Sequence, residues 1–170
     1  VTVDGKNFTA AEVDYYYYSA LNSISQSQYS SYFGLSSSTS LKNQNLNAMA
    51  KMLLGVTDEE EISWDQYLKN IAKENLTQSY LLSEKAKADG AAAHEDELQA
   101  TLDEITSYAK KNGMSLSGYL KRVYGSNMTV DTFKKLYQMD DLASHYRQDY
   151  IDSLSYTDTE LEACYEADKN

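Results

Sequence analysis

Proline is absent from all 170 residues of the chain, and no other feature constrains the fold as much. Proline in a helix interior removes a hydrogen bond and breaks the helix, so a chain without it can form long uninterrupted helices. Capping-box patterns, in which Ser or Thr is followed three residues later by Glu or Gln, begin at Thr9, Ser63 and Thr157. Gly90 and Gly113 stand where helices typically end. The sequence therefore predicts an all-α fold, a helical bundle.

Hydrophobic periodicity and these end signals predict the extent of each helix. Only residues 1–8 are expected to be extended, around an Asp4-Gly5 turn. The long helix that begins near Trp64 carries apolar residues on several sides, which predicts a central position in the bundle. Residues 1–156 are expected to form one helical domain, and residues 157–170 a truncated helix leading toward a domain outside this chain. The predicted helices cover residues 9–31, 41–54, 63–89, 95–112, 116–124, 129–154 and 157–170.

Charge and composition exclude several classes of protein. The chain has 15 Lys and Arg against 26 Asp and Glu, a net charge of −11. Such a chain repels phosphate backbones, so no nucleic-acid partner is expected. No apolar run approaches the roughly 18 residues that a membrane span needs. A single cysteine, Cys164, excludes an internal disulfide framework.

Two groups of residues resemble metal or catalytic sites. His94 is followed by three acidic residues, but adjacent side chains point in different directions, and acids in a first turn complement the helix dipole. Asp141, His145 and Asp149 share one helix face, but that face lies opposite the apolar stripe, which predicts a solvated imidazole. We therefore expect no metal, no cofactor and no catalytic residue in this chain.

Sixteen tyrosines against three phenylalanines are the most unusual count, and four of them are consecutive. Tyr17 follows the apolar stripe of its helix and is expected to point inward, so its three neighbours fan away from that stripe. Two interpretations stay open: a second layer of the bundle covers them, or they line an aromatic groove for extended peptides. The groove hypothesis assigns peptide binding to Tyr15, Tyr16, Tyr18, Tyr29, Tyr32, Phe33, Met49 and Met52.

Several short motifs resemble a known family. The opening Val-Thr-Val-Asp-Gly-Lys-Asn-Phe-Thr-Ala-Ala-Glu, Lys-Ala-Asp-Gly at 87–90, Tyr124-Gly125 and the segment 156–161 occur in the order found in that family. They resemble the SurA/PrsA-type N-terminal chaperone region of parvulin-type foldases, closest to Gram-positive surface lipoproteins. Phe8 stands where the family prefers Ile, and residues 31–54, with the acidic loop 55–61 after them, look like an insertion.

The resemblance implies a helical bundle of the SurA N-terminal or trigger-factor peptide-binding type that binds unfolded or extended polypeptides. It also implies an extracytoplasmic location as a membrane-anchored lipoprotein on the cell surface, held only through a removed N-terminal anchor. The parent protein would be a peptidyl-prolyl cis-trans isomerase whose catalytic domain begins after Asn170, so catalysis is not expected in this segment. The alternative function is a structural or adhesive surface module with an exposed tyrosine-rich face.

Overall fold

The computed structural model describes residues 1–56 and 61–167, and it is all-α apart from one short hairpin. The all-α prediction is confirmed. Strands β1 (Thr2–Val3) and β2 (Lys6–Asn7) pair antiparallel. The helices are α1 (Ala10–Gln26), α2 (Ala48–Leu53), α3 (Trp64–Ala88), α4 (Glu95–Lys111), α5 (Leu116–Tyr124), α6 (Val130–Ser153) and α7 (Asp158–Ala167).

The extended start of the chain is the β1–β2 hairpin, and it also contributes to the core. Asp4 and Gly5 form its turn with φ of 46° and 75°, the left-handed region that a tight hairpin turn requires. Phe8, which follows β2, is buried and meets the ring of Tyr80 edge-on at 5.3 Å between centroids. The hairpin is therefore held by a side chain that packs against α3.

The predicted capping residues Thr9 and Ser63 begin their helices where expected, but of the two only Thr9 forms a complete capping box, because the Gln66 side chain donates to Asn70 instead of accepting from the backbone N–H of Ser63. The backbone N–H of Glu12 donates to Thr9 Oγ1 at 3.3 Å, and the backbone N–H of Thr9 donates to Glu12 Oε2 at 2.7 Å. Ser63 Oγ accepts from the backbone N–H of Gln66 at 3.2 Å and so begins α3. Each cap satisfies an N–H that has no partner within its helix.

Most buried side chains belong to one cluster at the centre of the bundle. Helix α3 lies there, packed mainly against α1 and α6, which confirms its predicted central position. Helices α4 and α5 complete the bundle on the far side of α1 and α6. This main cluster contains Tyr15, Tyr16, Ala72, Leu76, Tyr80, Leu98, Leu102, Leu120, Met128, Phe133, Leu136 and Met139, with Val3 and Phe8 from the hairpin.

A second, smaller cluster joins the segment between α1 and α3 to the first turn of α3. It contains Phe33, Leu46, Ala50 and Trp64, and the ring centroids of Phe33 and Trp64 are 5.8 Å apart. The backbone N–H of Leu46 donates to the carbonyl of Ile62 at 2.9 Å, so an extended stretch pairs alongside the start of α3. The bundle thus carries a separately packed attachment, which we call the α2 subdomain (residues 27–56).

Two predicted helices differ from the structure in or beside the α2 subdomain. Residues 41–54 form a single turn of 3₁₀ helix, an extended stretch and the six-residue α2 instead of one helix. Asn47 causes the late start, because its side chain caps α2 by accepting from the backbone N–H of Ala50 at 2.7 Å. Helix α1 also ends at Gln26 rather than near residue 31, and a 3₁₀ turn follows at Ser30–Tyr32.

The last helix, α7, begins beside Thr157 as the third capping box predicted. It has no buried residue, and Leu161 and Tyr165 are more than half exposed. Positions 168–170, at the end of the predicted helix, lie outside the described residues. Within residues 1–56 and 61–167, no helix combines the length and the apolar character needed to span a membrane.

Candidate functional site

The four consecutive tyrosines are placed differently from the expectation. Tyr15 and Tyr16 are buried in the main cluster, whereas Tyr17 and Tyr18 are half-buried. Tyr17 packs against the main cluster as predicted, but Tyr15 and Tyr16 are buried more deeply than Tyr17, which was not predicted. The reason is that α1 packs against α3, α5 and α6, and these neighbours cover more than the stripe that Tyr17 follows. Tyr15 and Tyr16 therefore belong to the core and offer no exposed aromatic surface to a client.

Each tyrosine of the group has a definite partner. The ring of Tyr15 lies 5.0 Å from that of Tyr124 in α5, and Tyr16 Oη donates to Asp140 Oδ1 at 2.6 Å. Tyr17 Oη donates to Asp65 Oδ1 at 3.2 Å, and its ring meets that of Tyr18 edge-on. These contacts join α1 to three different helices.

A polar cleft of about 440 Å³ opens between α1, α3 and α6. Its walls include the phenols of Tyr15 and Tyr16, polar side chains of α3 such as Asn75, and Asp140 and Arg147 of α6. Burial raises the pKa of the Asp140 carboxyl and also the pKa of the Tyr16 phenol. A partly buried carboxylate beside neutral phenols can accept hydrogen bonds from a cationic or N–H-bearing group.

The raised pKa of Asp140 predicts a pH-dependent contribution to stability. That contribution is fully present below the unfolded pKa, about 3.9, and is lost as pH rises through the folded pKa. Asn at this position stays neutral and keeps an oxygen acceptor for Tyr16. The stability of Asp140→Asn relative to the wild-type chain should therefore increase from about pH 4 to about pH 7, as measured by urea unfolding at each pH. If the free energy of unfolding varied with pH in the same way in Asp140→Asn and in the wild-type chain, the raised pKa of Asp140 would be contradicted.

Four of the predicted peptide-binding residues are exposed on the α2 subdomain. Tyr29, Tyr32, Met49 and Met52 are 43% to 67% exposed, and we call this set the aromatic–methionine surface. The side-chain amide of Asn47 donates to the backbone carbonyl of Tyr32 at 3.1 Å. This hydrogen bond holds the turn that carries the tyrosines beside the helix that carries the methionines.

Phe33, also predicted to bind peptide, lies beneath this surface. It is buried against Trp64, so it supports the neighbouring residues from within the second cluster. Tyr18 is half-buried and approaches Gly125, where an added Cβ would meet its ring at 3.0 Å. Neither residue is placed to contact a client as the exposed four are.

The two histidines of the chain are in contact, which the sequence interpretation did not foresee. Their ring centroids are 4.1 Å apart, and the side chain of Asp141, in α6, contacts both rings. A hydrogen bond with Asp141 raises the pKa of His94. His145 is exposed over 45% of its side chain, in agreement with the predicted solvated face, but it also contacts His94 and Asp141, which was not predicted. The i, i+4 spacing of Asp141 and His145 was visible in the sequence, but its meeting with His94 depends on the tertiary fold.

Comparison with protein-family models, with curated proteins and with solved structures finds no match to the chain. Its function is therefore inferred from the geometry and chemistry of its own residues.

Proposed function

We propose that this chain is a peptide- and unfolded-protein-binding chaperone module. The observation that carries the proposal is the aromatic–methionine surface, four exposed large side chains on two segments of the α2 subdomain that the Asn47 amide joins. Large apolar side chains grouped on a surface are typical of protein interaction sites. Because these four lie on a separately packed attachment, they can contact a client without disturbing the main cluster of the bundle.

The residue types suit clients that lack a fixed shape. Methionine is flexible and polarisable, so it adapts to different apolar partners, and tyrosine combines an apolar ring with a polar hydroxyl. The chain carries a net charge of −11, which favours basic or neutral clients and suppresses contact with acidic ones. Apolar contact would supply the affinity, and charge would bias the choice of client.

The kind of protein to which this module belongs is inferred from four short motifs, which resemble the chaperone region of parvulin-type foldases. They lie at 1–12, 87–90, 124–125 and 156–161. On that basis the module would belong to an extracytoplasmic foldase, anchored at the cell surface as a lipoprotein. The isomerase chemistry would lie in another part of that protein. The hairpin, the capped first helix and the all-α bundle are compatible with this assignment.

The test is a variant that makes the aromatic–methionine surface polar: Tyr29→Ser, Tyr32→Ser, Met49→Gln and Met52→Gln. Because these side chains are exposed, the fold should survive, with unchanged far-ultraviolet circular dichroism and thermal midpoint. Suppression of aggregation of a chemically denatured model protein should fall several-fold.

The matched control removes two exposed tyrosines and two exposed aliphatic residues elsewhere: Tyr108→Ser, Tyr150→Ser, Leu81→Gln and Ile151→Gln. It should keep the activity of the unaltered chain. An equal loss of aggregation suppression in both variants would show that general surface hydrophobicity, not the aromatic–methionine surface, prevents the aggregation of clients. Full activity in the surface variant, or binding only to folded partners, would instead favour the structural or adhesive alternative.

A further inference from the structure

Two histidines and two carboxylates converge where the start of α4 meets the middle of α6. We call this group, His94, Glu97, Asp141 and His145, the histidine–carboxylate cluster. Each residue offers one nitrogen or oxygen atom, and the four atoms all lie within 4.8 Å of one another. His94 is the N-cap residue of α4 and Glu97 lies in its first turn, while Asp141 and His145 lie on one face of α6 at i, i+4 spacing.

Asp141 is the fixed member of the cluster. Only 3% of its side chain is exposed, and its Oδ2 accepts a hydrogen bond from the backbone N–H of His94 at 2.9 Å. That bond also supplies the cap that α4 lacks, because the side chain of His94 makes no cap hydrogen bond. A buried carboxylate held by a backbone N–H is an oriented ligand rather than a mobile surface acid.

Two separations within the cluster are close to the distance between neighbouring ligands of a small metal ion. His94 Nδ1 lies 3.1 Å from Asp141 Oδ2, and His145 Nδ1 lies 3.1 Å from Asp141 Oδ1. Tetrahedral zinc with bonds of about 2.1 Å separates neighbouring ligand atoms by about 3.4 Å. Glu97 Oε1 lies 3.9 Å from the other ring nitrogen of His145, Nε2, and one imidazole offers a single nitrogen to one ion. The half-exposed side chains of Glu97 and His145 therefore have to rotate for all four residues to reach the same ion.

The charge and donor types favour a transition metal over the alkaline-earth ions. Two carboxylates carry two negative charges, which a divalent cation neutralises, while both imidazoles coordinate in their uncharged form. Imidazole nitrogen suits zinc, copper, nickel and iron, whereas calcium and magnesium select sites built of oxygen atoms. Half of the donors here are nitrogen, so the set discriminates against calcium and magnesium.

We propose that the histidine–carboxylate cluster binds a divalent first-row transition metal such as zinc, and that the bound ion fastens the start of α4 to α6. This site is separate from the aromatic–methionine surface and does not depend on the chaperone assignment. Its effect is structural: hydrogen bonds of Glu95 with Gln138 and of Thr101 with Tyr137 already join α4 to α6, and the metal adds a further link at the start of α4.

The experiment is zinc titration by calorimetry of the whole chain, carrying no polyhistidine tag, with thermal unfolding in zinc and in a chelator. The unaltered chain should bind one zinc ion per molecule and unfold at a higher temperature in zinc. The backbone N–H of Leu98, which donates to the carbonyl of His94 in the first turn of α4, should exchange more slowly when zinc is bound. His94→Ala and His145→Ala should each weaken binding at least tenfold and abolish the thermal shift, with circular dichroism unchanged.

Glu97→Gln and Asp96→Asn form a matched pair, since both remove one negative charge from the same turn and only Glu97 belongs to the cluster. The first should weaken zinc binding, and the second should leave it unchanged. Absence of saturable one-to-one binding would overturn the proposal. Zinc binding that is indifferent to the two histidines would overturn it as well, because the ion would then occupy other carboxylates of this acidic chain.

Discussion

Replacement of Tyr15 by Ala is expected to lower the free energy of unfolding by about 3–5 kcal/mol, the range for removal of a buried aromatic side chain. Tyr15 is 9% exposed, and its ring contacts Tyr16, Tyr124 and Phe133 at centroid distances of 5.1, 5.0 and 6.1 Å. The variant therefore loses the buried area and three aromatic contacts, two of which join α1 to α5 and α6. Urea unfolding followed by circular dichroism measures the effect.

Tyr17→Ala is the control for this prediction, since it removes the same group two residues along the same helix. Tyr17 is half-buried, and its hydroxyl contacts Asp65 near the start of α3. Its loss should cost clearly less stability than the loss of Tyr15. A larger loss of stability in Tyr17→Ala than in Tyr15→Ala would contradict the packing described for α1, because Tyr17 would then contribute more to the core than Tyr15.

The sequence predicted those parts of the fold that depend on residues close together in the chain. The caps at Thr9 and Ser63 begin α1 and α3 as predicted, because each cap hydrogen bond joins residues only three positions apart. The inward side of α1 could not be predicted in the same way, because it depends on which helices pack around it. Three neighbours bury Tyr15 and Tyr16, although neither lies on the main apolar stripe.

The histidine–carboxylate cluster illustrates the same limit at a candidate site. Adjacent acids after His94 point in different directions, which is why the sequence predicts no metal site there. The group around Asp141 is predicted separately, because 47 positions separate His94 from Asp141 and no local pattern indicates that they meet. Each half of the cluster was visible in the sequence, but the contact between them depends on how α4 packs against α6.

Replacement of Trp64 by Ala is expected to open the α2 subdomain while the bundle stays folded. Trp64 is 1% exposed, and its ring lies 5.8 Å from that of Phe33 and 6.0 Å from that of Tyr67. Its removal should cost about 3–5 kcal/mol, which is a large part of what a cluster of only four buried residues can supply. Because the aromatic–methionine surface is built on this cluster, suppression of aggregation should be lost together with the local structure.

Amide hydrogen exchange distinguishes local opening from global unfolding. In Trp64→Ala the backbone N–H of Leu46, bonded to the carbonyl of Ile62, should exchange much faster, whereas that of Phe133 in α6 should keep its protection. Leu120→Ala is the matched change in the main cluster, where Leu120 is fully buried, and its cost of about 2–5 kcal/mol should reduce protection throughout the bundle. Equal loss of protection at Leu46 and Phe133 in Trp64→Ala would mean that the two clusters unfold as one unit. The aromatic–methionine surface would then rest on the whole bundle rather than on a subdomain able to open alone.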